Sequence, residues 1–290
     1  MFERGWRRYA TLGLFLGPSL AGMLVFLAGP ILASLGLSFT AWDLLTPPKF
    51  VGLGNYAGLL TDPEFRSALL HTLTFIVGYV PPVMVLGLLV AVGLNGSLPG
   101  KGALRVLYFL PVVSSWVAVS LVWRWLLNPS FGLVNSLLAS FGIAGPAWLF
   151  DPGWAMPAVI LTSLWKDTGY VMTILLAGLQ NIPAEYYEAA QIDGATGSQQ
   201  LRFVTLPLLI PSLLFAVTIS LINSFQVFDQ VFVMTSGGPA GSTTVLLERI
   251  VRNAFTYNRM GYAAAMSWAL FVLVFFTSML VRRAERRYNP

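Results

Sequence analysis

Six long stretches of apolar residues, separated by shorter polar segments, set the pattern of this chain. Each is about as long as, or longer than, the roughly 20 residues an α-helix needs to cross a bilayer. They predict spans over 11–39, 67–94, 106–127, 155–181, 205–234 and 261–281. The expectation is an all-α polytopic membrane protein, a single domain over 1–290 with six transmembrane helices. Pro18 and Pro30 fall inside the first span, and Gly78-Tyr79-Val80-Pro81-Pro82 inside the second. Membrane helices tolerate such breakers where neighbouring groups satisfy the freed backbone.

Composition agrees. The 290 residues are 56% hydrophobic and only 10% charged, against about 25% charged in soluble domains. A soluble surface or a disordered chain would carry more charge. With no cysteine, thiolate metal sites, disulfides and cysteine nucleophiles are excluded. A single histidine, His71, leaves little for a zinc site or a Ser-His relay, and at the outer end of the second span it reads as an interfacial polar residue.

Basic residues orient the spans. Arg4, Arg7, Arg8, Lys101, Arg105, Arg202, Arg282, Arg283, Arg286 and Arg287 fall on one side. Lys49, Arg66, Arg124, Arg249, Arg252 and Arg259 fall on the other. The bias places both termini in the cytoplasm. The apolar run after Arg8 is too long for a signal core and no A-x-A follows, so it is expected to remain as the first helix. The net charge of +5 then reflects inner basic ends rather than nucleic-acid binding.

One inner segment is more than a connector. Residues 182–204, between the fourth and fifth spans, predict a short helix outside the membrane. Pro183 suits a first turn, and Glu185 complements the positive helix end. Gly194 is placed to stop the helix, and Ser198 to cap a second one leading through Arg202 into the fifth span. Tyr186, Tyr187 and Ile192 are bulky for a cytoplasmic helix, and so short a helix is marginal alone. It either packs on the inner rim of its own chain or docks into a partner.

Glu188-Ala189-Ala190, three residues, Gly194, nine residues, then Val204-Thr205-Leu206-Pro207 resembles the EAA signature of binding-protein-dependent ABC importer permeases, with Val204 where that pattern has Ile. Other segments match in order: Phe50–Tyr56, Trp125–Gly132, Ala177–Gln180, Ile192–Ala195 and Ser236–Pro239. Together they look like the carbohydrate-type permeases of the maltose, lactose and glycerol-phosphate importers, without a large outer insertion. The resemblance implies the ABC-importer permease fold with a cytoplasmic coupling helix, located in the cell inner membrane among its lipids. It implies a second homologous permease subunit, two ATPase subunits below and an extracytoplasmic solute-binding protein above. Import of a sugar-like solute by alternating access would be driven by ATP and Mg held on the ATPases, with no cofactor on this chain. Carried onto this sequence, Glu188, Ala189, Ala190 and Gly194 are the docking residues, with Glu185, Tyr187 and Asp193 beside them. Glu188 is expected to face a basic group, and Pro207 marks the return to the membrane.

The residues agree that energy comes from elsewhere. A phosphate-cradling G-x-x-x-x-G-K-[ST] loop needs a Lys-Ser/Thr pair, but the three lysines precede Phe50, Gly102 and Asp167. Polar residues inside spans suggest a solute path. In the fourth span Thr162, Ser163, Lys166, Tyr170 and Thr173 share an arc, with Asp167 beside it and Thr168 nearby. In the fifth, Ser220, Asn223, Ser224 and Gln230 share another, with Gln226 at its margin and Asp229 opposite. Amide and hydroxyl groups with Phe225 and Phe228 suit a sugar, although the same residue types also hold membrane helices together. Lys166 and Asp167 could neutralise each other. An ion-coupled carrier using Lys166, Asp167 and Asp229, or a membrane enzyme, are the competing readings. Trp116, Trp123, Trp125, Trp148 and Trp154 read as an aromatic belt, and Thr235–Asn258 as an outer loop.

Overall fold

Among the described residues of the computed structural model, 5–96 and 99–285, five helices are long and apolar enough to cross a bilayer, six when one helix pair bent by 99° is counted as a single broken span. Arg4, Arg286 and Arg287, counted above as inner basic residues, lie outside the described residues, as do the side chains of Arg7 and Arg8. The chain divides into two compact units, residues 1–62 with 250–269, and residues 63–249 with 270–290.

In the first unit, α1 (Trp6–Met23) runs through a π-helical turn at Leu24–Ala28 into α2 (Gly29–Ser38). Pro30 has no N–H for the carbonyl four residues back, and the chain widens just before it, Gly29 N–H bonding Leu24 O. None of the most apolar window of Thr11–Ser38 is buried within this chain, so lipid or another subunit must cover it. Past Ser38 a two-stranded ribbon forms from β1 (Thr40–Ala41) and β2 (Lys49–Phe50), followed by α3 (Gly54–Thr61). Asn55 Nδ2 donates to the Ser38 and Thr40 carbonyls at 2.8 and 2.9 Å, pinning α3 to the end of α2.

The second unit is organised by α4 (Pro63–Asn95) and α8 (Pro152–Gln180). Phe75, Val83 and Ala91 of α4 and Val159, Val171 and Leu175 of α8 are fully or almost fully buried. Small residues let the backbones approach. A Cβ on Gly87 would collide with Val171, and one on Gly169 with the Tyr108 carbonyl. Pro81 and Pro82 sit inside α4 without ending it.

The spans differ from the sequence expectation in two places. The expected unbroken 106–127 is α5 (Lys101–Val113) and α6 (Trp116–Leu126), bent by 99°. Ser114 and Ser115 between them have extended ψ values of 144° and 136°. Pro111 weakens the ladder just upstream. After α7 (Leu133–Ser140), α8 and the short helices α9 (Ala184–Ile192) and α10 (Gly197–Gln200) come next. The expected fifth span over 205–234 is also broken: α11 (Leu206–Phe225) ends at Gln226, and α12 (Asp229–Met234) restarts after two residues. The short α12 packs against α6.

The stretch expected to be an outer loop contains α13 (Leu246–Val251) and a π-helical turn, Arg252–Thr256. Arg249 at its centre is 8% exposed and ion-paired with Glu64. Its polar spacing hid a helix whose charges face inward. The last helix, α14 (Met260–Glu285), carries Arg282 and Arg283 in its final turn. In the first unit its start is held by Met260 N–H to Trp42 O at 2.9 Å and Tyr262 OH to Asp62 at 2.6 Å.

Candidate functional site

The residues singled out in the sequence fall into two groups, the short helix α9 and the polar positions of the broken spans. Both lie in the second unit.

The α9 segment folds much as its residues dictate. Pro183 sits at the N-cap rather than in the first turn, and Glu185 is the acidic residue of that turn. Gly194 adopts φ +77°, a left-handed conformation that suits glycine. Its N–H bonds Gln191 O at 3.0 Å and Ala195 N–H bonds Ala190 O at 2.8 Å, which closes the helix. The next helix is capped by Thr196, not by Ser198: Gln199 Oε1 accepts the Thr196 N–H at 2.7 Å, the reciprocal half of a capping box. The T-x-x-Q spacing was the available signal.

One side chain tethers α9. Tyr187 is half-buried and its hydroxyl lies 3.1 Å from Thr205 Oγ1, at the root of α11. Behind it is a cavity of about 260 Å3 lined by Asn95, Gly96, Gln200 and Leu201, so the helix is not packed flush on the end of α4. Glu185, Glu188, Ala189, Asp193 and Gly194 are exposed, Ala190 half-buried and Pro207 exposed. Tyr186 is 53% and Ile192 87% exposed. An isolated nine-residue helix gains little from propensity, and here it presents two large apolar side chains outward, Tyr186 partly and Ile192 almost wholly uncovered by the described residues.

The fourth-span residues are largely committed to protein partners. Lys166 is 3% exposed, donates Nζ to the Val112 carbonyl at 3.0 Å, and lies 4.8 Å from the Trp116 ring centre. A charged lysine at the centre of a membrane helix costs roughly 2.5–3.5 kcal/mol without such partners. Asp167 accepts from Tyr79 OH at 2.8 Å. Lys166 and Asp167 thus each take a hydrogen-bond partner on a different helix, while their opposite charges still act on one another. Thr162, Ser163, Thr168 and Thr173 turn their hydroxyls back to carbonyls four residues upstream. Tyr170 is half-buried.

The fifth-span residues split by exposure. Ser220, Ser224 and Phe225 are buried, and Ser224 Oγ bonds Ser220 O. Gln230 Nε2 reaches Ser163 Oγ at 3.4 Å, a contact between helices. Asn223, Gln226 and Asp229 are exposed, and they bracket the break between α11 and α12. Irregular backbone at membrane depth is tolerated where protein buries it or where it lines a water-filled cavity. Three exposed polar side chains at such a break fit the second condition.

Sequence reasoning missed several anchors. His71 Nδ1 lies 3.1 Å from Thr244 O, and Thr72 Oγ1 accepts the Leu246 N–H at 2.9 Å, so the end of α4 holds the segment before α13. Trp148 and Trp154 stack edge to face, and Trp148 Nε1 donates to Asn135 at 2.7 Å, so Trp148 is held by protein partners while Trp154 stays 46% exposed.

Residues 51–290 match a family described as the inner membrane component of binding-protein-dependent transport systems. The lactose transport system permease protein LacF of Rhizobium radiobacter is 39% identical over 280 residues, covering 94% of this chain and 93% of that one. The trehalose/maltose transport system permease protein MalF of Thermococcus litoralis is 36% identical over 269 residues, 92% and 91% of the two chains. Among solved structures, a chain of a bacterial ABC transporter involved in import of the acidic polysaccharide alginate superposes with a TM-score of 0.86 at 26% identity, covering 99% of this chain and 100% of that one. A chain of a bacterial alginate ABC transporter in complex with an alginate pentasaccharide-bound periplasmic protein gives 0.86 at 26% identity, over 98% of each chain. With its helices, its motif and these relatives in agreement, the chain belongs to the inner membrane components of binding-protein-dependent transport systems: a multi-pass permease subunit of an ABC importer.

Proposed function

We propose that this chain forms half of a conduit that admits a sugar or sugar-like solute to the cytoplasm. The observation that carries the reading is α9: a tethered helix outside the spans, with Glu188, Ala189 and Ile192 facing away from its own chain. Such a surface suits a cleft on an ATPase subunit. Closure of two ATPases around nucleotide would pull on α9 and, through Tyr187 and Thr205, on the root of α11. ATP and Mg belong to those subunits, since no phosphate-binding loop occurs in this sequence. A second, homologous permease completes the path, and an extracytoplasmic binding protein delivers the solute. Both termini lie on the cytoplasmic side with α9.

The solute class follows from relatives named for lactose and for trehalose/maltose and from the chemistry of the break. A sugar needs amide and carboxylate partners for its hydroxyls and an aromatic face for its ring. Asn223, Gln226 and Asp229 offer the first, and the stacked rings of Phe228 and Phe232, 5.2 Å apart, the second. A single-chain carrier driven by Lys166 and Asp167 is disfavoured, because both groups are occupied by Val112 and Tyr79.

Transport and ATPase assays of the reconstituted complex test the reading. Glu188→Ala is expected to lower solute-stimulated ATPase and uptake by about tenfold, the scale of one lost charged contact. A tryptophan at Gly194 would disrupt both the contact and the helix stop. Full activity in both variants would refute the docking role of α9.

A further inference from the structure

The break between α5 and α6 raises an accounting question about its carbonyls. A helix that stops leaves its last carbonyls without intrahelical donors, and inside a membrane water is not freely available to replace them. At the end of α5, Leu110 O receives Ser114 Oγ at 3.1 Å, and Pro111 O receives Ser114 N–H at 3.2 Å. Val112 O receives Lys166 Nζ at 3.0 Å. The donor to Val112 comes from another helix and carries a charge.

The register brings it there. Gly169 of α8 lies directly against the Tyr108 carbonyl of α5. One turn further along each helix, in opposite directions, Lys166 meets Val112. The absence of a side chain at Gly169 brings the backbones close enough for the lysine to reach. Its ammonium meets the negative end of the α5 dipole, and the same group lies 4.8 Å from the ring centre of Trp116, the first residue of α6. One cation therefore touches the last turn of one half-helix and the first residue of the next, across a bend of 99°.

We infer that Lys166 is a positioning residue, the cationic pin that holds the joint of the third span and thereby seats α6 against α12, rather than a group that contacts solute. Asp167, next along α8, is held separately by Tyr79 of α4, so the two adjacent ionisable residues fasten α8 to two different neighbours. Arginine could fill the role, since its guanidinium donates to carbonyls and stacks on indole. Methionine could not.

The chain has no cysteine, so Ser114→Cys, half-buried at the joint, supplies a single thiol there; it replaces the hydroxyl on Leu110 O, so every comparison is made within the Ser114→Cys background. In the assembled importer the maleimide labelling rate of this thiol is measured with Lys166, Lys166→Arg, Lys166→Met and Trp116→Leu. The pin predicts labelling about tenfold faster in Lys166→Met, near the parental rate in Lys166→Arg, and intermediate in Trp116→Leu. Should Lys166→Met not assemble, the contrast between Trp116→Leu and Lys166→Arg carries the test. Unchanged labelling in Trp116→Leu and Lys166→Met would overturn the inference. So would Lys166→Arg raising the KM for solute uptake while labelling stays parental, which marks a solute ligand. The labelling result is independent of the proposed coupling through α9; only the uptake readout shares it.

Discussion

Single residues decide where this chain turns. Asp43, in the ribbon connection of the first unit, accepts the backbone N–H of Thr46 at 2.8 Å, its hydroxyl at 2.9 Å and the backbone N–H of Leu45 at 3.0 Å. The Thr46 backbone bond, followed by the Thr46 hydroxyl and the Leu45 backbone bond, holds its carboxyl below the usual 3.8. A depressed folded pKa stabilises the turn above the unfolded value and loses that effect as pH falls through the folded one. Hydrogen exchange over residues 43–46 is therefore expected to stay constant from neutral pH to about 4 after correction for intrinsic rate, and to accelerate only below it. In Asp43→Asn the protection is weaker at neutral pH and the acid step disappears. Turn chemistry of this kind was partly legible: Gly194 was placed as a helix stop and takes φ +77°. The cap on α10 fell on Thr196 because its partner Gln199 sits three residues on, a spacing Ser198 lacks. The partners of Lys166 and Asp167 could not be read, since they come from residues 54 and 88 positions away.

Helices were easier to foresee than their interruptions. An apolar run long enough to cross a membrane announces itself by composition, and every predicted span contains at least one such helix or half-helix. Composition averaged over a whole span does not register a backbone that leaves the helical region for two or three residues. That is what happens at Ser114–Ser115 and at Gln226–Phe228. Pro111 hints at the first; at the second the polar Asn223, Gln226 and Asp229 mark the place without signalling a break in the helix. Close packing is legible only in retrospect, because a glycine that a neighbour overlaps looks like any other. Gly87→Leu puts a side chain into Val171 and the Met172 backbone. It is expected to destabilise the α4–α8 pair by about 1–3 kcal/mol, the range for overpacking. Thermal unfolding of the purified protein in detergent checks this, with Gly93→Leu, whose added Cβ meets nothing within 4 Å, as the control near zero.

For the whole molecule, what matters is the separation of motor from path. The EAA pattern, in the segment between the fourth and fifth spans, points to the family from the sequence alone, and relatives covering more than 90% of the chain agree with it. The surface of α9 then gives the pattern a physical meaning. Its Glu188, Ala189 and Ile192 are left exposed by the described residues, and Tyr187 links the helix to the root of α11. The central claim is that an ATPase subunit covers this face. With no native cysteine to interfere, Ala189→Cys in the assembled importer can be cross-linked with a short thiol-reactive reagent and the adduct identified by mass spectrometry. The account predicts one principal product, joined to the nucleotide-binding subunit, and protection of the thiol from reagents added outside the cell. An adduct confined to the binding protein, or ready labelling from the outer face, would contradict it.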